Sequence, residues 1–287
     1  FANPGPQTVT LTVTTVGGCS DTRPRIIHIY PIPALSFTTQ SSGVCLGTMA
    51  TVTNTSSTFN GAINSWHWDF GDGTTDSSSA PVHLYQSPGT YNISLIGVTS
   101  HGCIDTISQP FTIYPLPIAN AGPNTAICQG QVATLTASGG TSYLWSNGAT
   151  SQTIQVSPSI STGYSVTVTD INGCSATDSV LVNVNLLPVV NAGPDVAVCI
   201  GKSITLTGNA APSVNWMPGN QNTTSITVSP LVTTNYVYTV TSIAGCINRD
   251  TVRVTVNPLP LVNAGSDLSI CAGGTASLTA TGGVSYS

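Results

Sequence analysis

Glutamate is absent from this 287-residue chain, lysine occurs once, at Lys202, and all ten acidic residues are aspartate. Four arginines complete the basic set, and charged residues make up only 5% of the sequence. A chain so poor in Glu, Lys and Arg lacks the residues that usually coat helices. Five basic residues spread over the whole length cannot neutralise a run of phosphates, so nucleic acid is excluded as a partner and an anionic membrane surface is disfavoured. No stretch approaches the ~20 continuous apolar residues that cross a bilayer, so this segment is not expected to insert into a membrane. Without glutamate there is no His-Glu-x-x-His zinc site, and neither a Gly-x-Ser-x-Gly elbow nor a phosphate-binding glycine loop occurs. His28, His67, His83 and His101 fall in no catalytic spacing, and no enzyme active site is expected. A single lysine also rules out a Lys–Asn isopeptide crosslink in each part of the chain. Phe1 is neither an initiator methionine nor the start of a signal peptide, which reads as an internal or processed portion.

What fills the space is Thr, Ser, Val, Asn and Gly, a mixture suited to pleated, half-exposed strands and tight turns. The fold class expected is all-β. Gly-Cys recurs at Gly18-Cys19, Gly102-Cys103, Gly173-Cys174 and Gly245-Cys246, with successive cysteines 84, 71 and 72 residues apart. A second cysteine keeps step at Cys45, Cys128, Cys199 and Cys271, spaced 83, 71 and 72. A period of this length describes small domains in tandem. Proline-bearing joints at Tyr30-Pro31-Ile32-Pro33, Tyr114-Pro115-Leu116-Pro117, Asn185-Leu186-Leu187-Pro188 and Asn257-Pro258-Leu259-Pro260 divide them. Proline holds itself and its predecessor extended, so the joints are expected to be short and stiff, giving an elongated array.

Five segments follow. Residues 1–30 hold the closing strands of an incomplete repeat, seen in the alternation of Val9, Leu11 and Val13 and of Ile27 and Ile29. Residues 31–114, 115–187 and 188–259 are three full units. Residues 260–287 open another: Ala276-Ser277-Leu278-Thr279-Ala280 and Val284-Ser285-Tyr286 repeat Ala133-Thr134-Leu135-Thr136-Ala137 and Ser142-Tyr143, which predicts strands there.

Eight cysteines in register, none in a Cys-x-x-Cys pair, point to disulfides made in an oxidising compartment. Two patterns of pairing are open: early with late inside a unit, or late with early across a joint. The first is favoured, because two strand-length segments around Pro188 would carry Cys174 away from Cys199 at ~3.3 Å per residue. It gives Cys45–Cys103, Cys128–Cys174 and Cys199–Cys246, with Cys19 and Cys271 bonded outside the chain. Each loop of some 45 residues would contribute roughly 4 kcal/mol.

Trp68-Asp69-Phe70-Gly71-Asp72-Gly73, then His83-Leu84-Tyr85, then Pro88-Gly89-Thr90-Tyr91 stand in that order within 31–114. This unit resembles the PKD-type β-sandwich, which implies a seven-stranded, immunoglobulin-like extracellular module. The later units share Asn120-Ala121-Gly122-Pro123, Asn191-Ala192-Gly193-Pro194 and Asn263-Ala264-Gly265-Ser266, and Asn-Gly turns such as Asn147-Gly148 and Asn172-Gly173 of the hairpin type. They resemble the repeats of SprB-type giant surface adhesins of gliding Bacteroidetes and related cargo of the type IX secretion system. The resemblance implies tandem immunoglobulin-like and PKD-type β-sandwiches in a non-enzymatic stalk of a large exported adhesin or surface filament, which projects a distal binding region. The alternative is an accessory array of a secreted polysaccharide-degrading enzyme that binds glycans.

Trp68, Trp145 and Trp216 fall midway between the cysteines of their units and are expected in the cores. Trp66 shares the face of Trp68, which leaves no exposed aromatic pair for sugar stacking. Asp69 and Asp72, with Asp76, are spaced as a weak calcium loop and are expected to satisfy turn amides; Asp195 and Asp267 are calcium options at the joints. No cofactor is otherwise implied. Asp105-Thr106-Ile107, Asp178-Ser179-Val180 and Asp250-Thr251-Val252 resemble the Asp-Ser/Thr-apolar acceptor for O-glycosylation in exported Bacteroidetes proteins, making Thr106, Ser179 and Thr251 candidates. Asp21-Thr22-Arg23 departs from it through the arginine. The expected partners are neighbouring repeats of the same polypeptide, identical chains and surface glycans.

Overall fold

The computed structural model describes residues 3–59 and 62–285, so Phe1 and Tyr286 lie outside the described residues. Every regular element among them is a strand. Contacts gather the chain into two compact units, one of residues 1–123, 134–154 and 163–180, the other of 124–133, 155–162 and 181–287.

The chain begins with a hairpin of β1 (Gly5–Thr14) and β2 (Ser20–Ile29), paired antiparallel from Gly5 opposite Ile29 to Thr14 opposite Ser20. The alternation of Val9, Leu11 and Val13 is a strand face, but all three are exposed, because a two-stranded ribbon has no second layer to cover it.

The strands between Phe37 and Tyr114 form a sandwich. One layer pairs β3 (Phe37–Thr39), β5 (Ala50–Asn54) and β8 (Val82–His83). The other runs β4 (Gly43–Cys45), β10 (Ile104–Tyr114), β9 (Gly89–Thr99), β6 (Ile63–Asp69) and β7 (Thr75–Asp76). Alternate residues of β9, Ile93 and Leu95, meet Trp68 from β6, Phe111 and Ile113 from β10, and Phe37 and Val52 from the smaller sheet in one core. Phe37 meets Trp68 edge-on at 5.2 Å between ring centroids.

The next strands are β11 (Thr125–Cys128), β12 (Ala133–Thr136), β13 (Ser142–Trp145), β14 (Thr153–Val156), β15 (Thr162–Thr169) and β16 (Ser175–Asn185). They make a four-stranded sheet in the order β11–β16–β15–β13 and a two-stranded sheet of β12 and β14. The pattern returns in β17 (Val196–Cys199), β18 (Ile204–Thr207), β19 (Ser213–Met217), β20 (Ser225–Val228), β21 (Thr234–Thr241) and β22 (Ile247–Asn257), ordered β17–β22–β21–β19 and β18–β20. Here Trp216, Tyr236, Tyr238, Val240, Val252 and Val254 form the core with Leu206 and Ile226. The outer faces are rich in threonine. Thr90 faces Thr112 at 3.2 Å, Thr136 faces Thr153 at 3.1 Å and Thr205 faces Thr227 at 3.1 Å, cross-strand hydroxyl pairs that solvate a sheet without ions.

One feature positions the cysteines. In every sandwich the short first strand of the larger sheet pairs parallel with the end of the long last strand, setting Cys45 opposite Tyr114, Cys128 opposite Asn185 and Cys199 opposite Asn257.

Residues 260–285 depart from expectation. The stretch 276–280 is not a strand, and only an isolated bridge joins Asn263 to Thr281. Its counterpart β12 is held by β14, and among the described residues 276–280 have no such strand partner.

Candidate functional site

The cysteines overturn the expected connectivity. Cys45 is bonded to Cys174 and Cys128 to Cys246, with Cα–Cα distances of 5.5 and 5.6 Å. None of Cys45–Cys103, Cys128–Cys174 and Cys199–Cys246 forms, and neither does a late-to-early bond such as Cys174–Cys199. Cys19, Cys103, Cys199 and Cys271 are free thiols. The reason lies in the last strand. Cys45 sits beside the C-terminal end of β10 while Cys103 precedes its N-terminal end, and 11 residues of strand hold them about 33 Å apart at roughly 3.3 Å per residue. A disulfide requires Cα atoms within about 7 Å. β16 and β22 separate Cys128 from Cys174 and Cys199 from Cys246 in the same way. The early cysteine of one sandwich therefore bonds the late cysteine of the next.

Each late cysteine is held in a hairpin tip by the residue four positions before it. Asp170 Oδ1 accepts the N–H of Cys174 at 2.9 Å, Ser242 Oγ that of Cys246 at 3.1 Å and Thr99 Oγ1 that of Cys103 at 3.1 Å. Gly173 and Gly245 carry the turn at φ near 80° (81° and 80°), where a side chain would be strained. The short polar residue four places before each of these cysteines is visible in the sequence and gives the repeat its local cause.

The Asp69–Asp76 loop is a turn network. Asp69 Oδ1 accepts the Gly71 N–H at 2.8 Å, Asp72 Oδ1 the Thr74 N–H at 3.0 Å and hydroxyl at 2.6 Å, and Asp76 Oδ1 the Ser78 N–H at 2.6 Å. Asp72 Oδ2 lies 2.7 Å from His83 Nε2, with the two side chains 18% and 14% exposed. Burial pushes the Asp72 carboxyl up, but the Thr74 hydroxyl, the His83 ring and the Thr74 amide outweigh it, so it titrates below the ordinary value. His83 stacks on Phe70 at 4.3 Å, and the Tyr85 hydroxyl donates to the Phe70 carbonyl at 2.9 Å. The separate motifs around Phe70 and His83 thus close on each other. Asp69 Oδ1 and Asp72 Oδ1 accept separate amides and Asp72 Oδ2 faces His83, and no group of three His, Cys, Asp or Glu able to hold a metal occurs among the described residues.

Trp68, Trp145 and Trp216 are buried. The indole N–H of Trp68 donates to the Ser78 carbonyl and that of Trp145 to the Ser151 carbonyl, each at 3.0 Å, whereas Trp216 Nε1 has no partner among the described residues. Trp66 is half-buried against the core.

Thr106, Ser179 and Thr251 are exposed in β10, β16 and β22. The aspartate before each has a structural duty: Asp178 Oδ2 accepts the Ala121 N–H at 2.9 Å and Asp250 Oδ2 the Ala192 N–H at 2.8 Å, while Asp105 Oδ1 accepts the Thr106 N–H at 2.9 Å. The Ala121 and Ser179 amides hold the Asp178 carboxyl below its usual value. Asn120 and Asn191 accept from Gly122 and Gly193 at 2.8 Å, so the Asn-Ala-Gly repeat is an Asx turn latched to the last strand. Asp195 Oδ1 accepts the Arg253 N–H at 2.8 Å.

An aromatic recess escaped the sequence reading. Tyr30 stacks on His101 at 3.6 Å, and with His28, Phe59 and Pro31 they line a hollow of about 240 Å³. Phe59 is 83% exposed and Tyr30 44%. Its residues come from positions 28, 30, 59 and 101, so no single strand's alternation could reveal it.

Residues 31–113 match the PKD domain family. A microbial collagenase of Vibrio alginolyticus is 32% identical over 115 residues, 40% of this chain and 14% of that protein. The pre-pro-metalloprotease PrtV of Vibrio cholerae is 38% identical over 60 residues, 21% of this chain and 6% of that protein. The crystal structure of the PKD1 domain from the Vibrio cholerae metalloprotease PrtV aligns at 31% identity and a TM-score of 0.27, covering 29% of this chain and 98% of that one. The chain thus spans 14% and 6% of these relatives' lengths, and its similarity to the PKD family lies in residues 31–113.

Proposed function

We propose that this chain is a non-enzymatic, load-bearing segment of a large exported surface protein, a stalk or filament that projects a distal binding region from the cell. The observation that carries the reading is the pairing of Cys45 with Cys174 and Cys128 with Cys246, which ties the first sandwich covalently to the second and the second to the third. Such bonds add nothing to a reaction centre; they preserve the order of repeats under pull. They need an oxidising compartment, which supports an extracellular, cell-surface location. Units bounded at 31, 115, 188 and 260 belong to this reading, as do SprB-type adhesins of gliding Bacteroidetes exported by type IX secretion. It is supported by the recurrent Asn-Ala-Gly turns and the PKD match. Thr106, Ser179 and Thr251, exposed on the long last strands, are its O-glycosylation acceptors. Neighbouring repeats are the immediate partners, with identical chains or surface glycans beyond them. An antibody raised against this chain should label intact cells, and a protease that cannot enter them should remove the label. Recovery only in the medium, attached to a hydrolase, would overturn the reading.

The aromatic recess favours a second reading, an accessory array of a secreted polysaccharide-degrading enzyme in which Tyr30 and Phe59 stack on sugar rings. The protease relatives widen the class of enzyme such an array would serve. Binding of the chain to a glycan panel, lost in Phe59→Ala and Tyr30→Ala, would support it; no binding would remove it.

A further inference from the structure

The two disulfides interleave. In chain order the bonded cysteines run Cys45, Cys128, Cys174, Cys246, with the first joined to the third and the second to the fourth across separations of 129 and 118 residues. We propose that this crossed pairing is a covalent limit on extension, which shunts tension past most of the polypeptide and leaves the bypassed segments slack.

Between Cys45 and Cys246 lie 201 residues. Pulled from outside, the shortest covalent route crosses from Cys45 to Cys174, runs backwards over the 46 residues to Cys128, and crosses to Cys246. The 83 residues from Cys45 to Cys128 and the 72 from Cys174 to Cys246 cannot become taut while both bonds hold. Those slack segments include β5 to β10 and β17 to β21, the bulk of two sandwiches. At about 3.5 Å per extended residue, the limit shortens this stretch from roughly 70 nm to roughly 16 nm. A sandwich that unfolds under load therefore lengthens the chain little and keeps its strands near one another for refolding. The use of the device rests on the load-bearing reading above; the limit itself rests on the pairing alone.

Single-molecule stretching of the whole chain, held at both termini, tests it. The final contour length, read after all unfolding, should rise by about 54 nm when reductant is added, the length of 155 residues at ~3.5 Å each. Without reductant, Cys45→Ser should leave 83 residues as the shortest route, about 13 nm longer than the parent, and Cys128→Ser 72 residues, about 9 nm longer. Cys103→Ser and Cys199→Ser should change nothing, because both thiols are free. Bonds confined within single units would instead make Cys103→Ser lengthen the chain by about 20 nm, from a 50-residue route to one of 108. That gain, or full extension of the unreduced parent, would overturn the proposal. Absence of the protein from cell surfaces would refute the load-bearing reading and leave these lengths untouched.

Discussion

Gly208 and Tyr238 make one packing pair, and exchanging them for the pair used one repeat earlier is a sharp test of how these cores are built. A Cβ added at Gly208 would lie 2.3 Å from Cε1, 2.5 Å from Cζ and 2.7 Å from Cδ1 of Tyr238. The ring cannot retreat. It is fully buried, lies 4.6 Å from Trp216, and its hydroxyl is tied to the Asn209 carbonyl at 2.7 Å. Gly208 is not in the left-handed region, so space alone demands glycine. In the preceding repeat the corresponding residues are Ala137 and Val166, both buried: a methyl where the glycine stands and a smaller side chain where the tyrosine stands. Gly208→Ala alone should destabilise by roughly 1–3 kcal/mol through overpacking. Tyr238→Val alone should cost about 3 kcal/mol or more through the cavity it leaves. The double variant restores the earlier pair, and its cost should fall short of the sum by at least about 1 kcal/mol. Urea unfolding followed by tryptophan fluorescence, with disulfides intact, measures all four corners of the cycle. Additivity within about 0.5 kcal/mol would show that the two positions do not compete for the same space.

Non-reducing peptide mapping should recover a peptide pair joined through Cys45 and Cys174 and another through Cys128 and Cys246, while Cys19, Cys103, Cys199 and Cys271 alkylate without reductant. Each bond closes a loop long enough to stabilise by about 5 kcal/mol on chain entropy, so Cys174→Ser should lower the unfolding midpoint markedly and Cys103→Ser hardly at all. Asp72 has a folded carboxyl depressed below its unfolded value of about 3.9, so its contribution is present above that value and is lost as pH falls through the folded one. Stability measured from pH 7 downward should show this acid loss, and Asp72→Asn should be less stable at neutral pH and less sensitive to acid; an unchanged profile would contradict the Asp72–His83 contact. Mass spectrometry of native material should find hexose on peptides holding Thr106, Ser179 or Thr251; unmodified masses at all three would remove the acceptor assignment.

Much of the fold was legible because strands advertise themselves locally. The alternation of Ile93 and Leu95 marks β9 whatever surrounds it, and a tryptophan ahead of each turn reports a core. The cysteine partners were not legible, because distance along the chain says nothing about which end of a sheet a residue occupies. Cys45 and Cys103 share a unit but stand at opposite ends of β10, a fact carried by three parallel pairings from Gly43 to Cys45. Likewise Ala276 to Ala280 repeats the sequence of β12 without its structure, since a strand exists only with a partner. The same distinction explains the aromatic recess: His28 and Tyr30 are neighbours along the chain, but Phe59 and His101 join them only in space.

The aspartates show how one residue type serves a surface without glutamate. Each short carboxylate reaches an amide within a few ångströms: Asp72 across its loop, Asp178 and Asp250 from the last strand to the Asx turn. Glutamate, one methylene longer and freer to rotate, would lose more entropy in making the same bonds. Long charged side chains would also intrude on the threonine pairs that face solvent. Absence of charge and abundance of β-turn latches are therefore two aspects of one arrangement, in which backbone donors at turns are satisfied by short acids and the strands are left to hydroxyls. Ion pairs are correspondingly scarce: Arg23 meets Asp21 at 3.3 Å on an exposed hairpin, while Cys45–Cys174 and Cys128–Cys246 supply covalent links that need no charge.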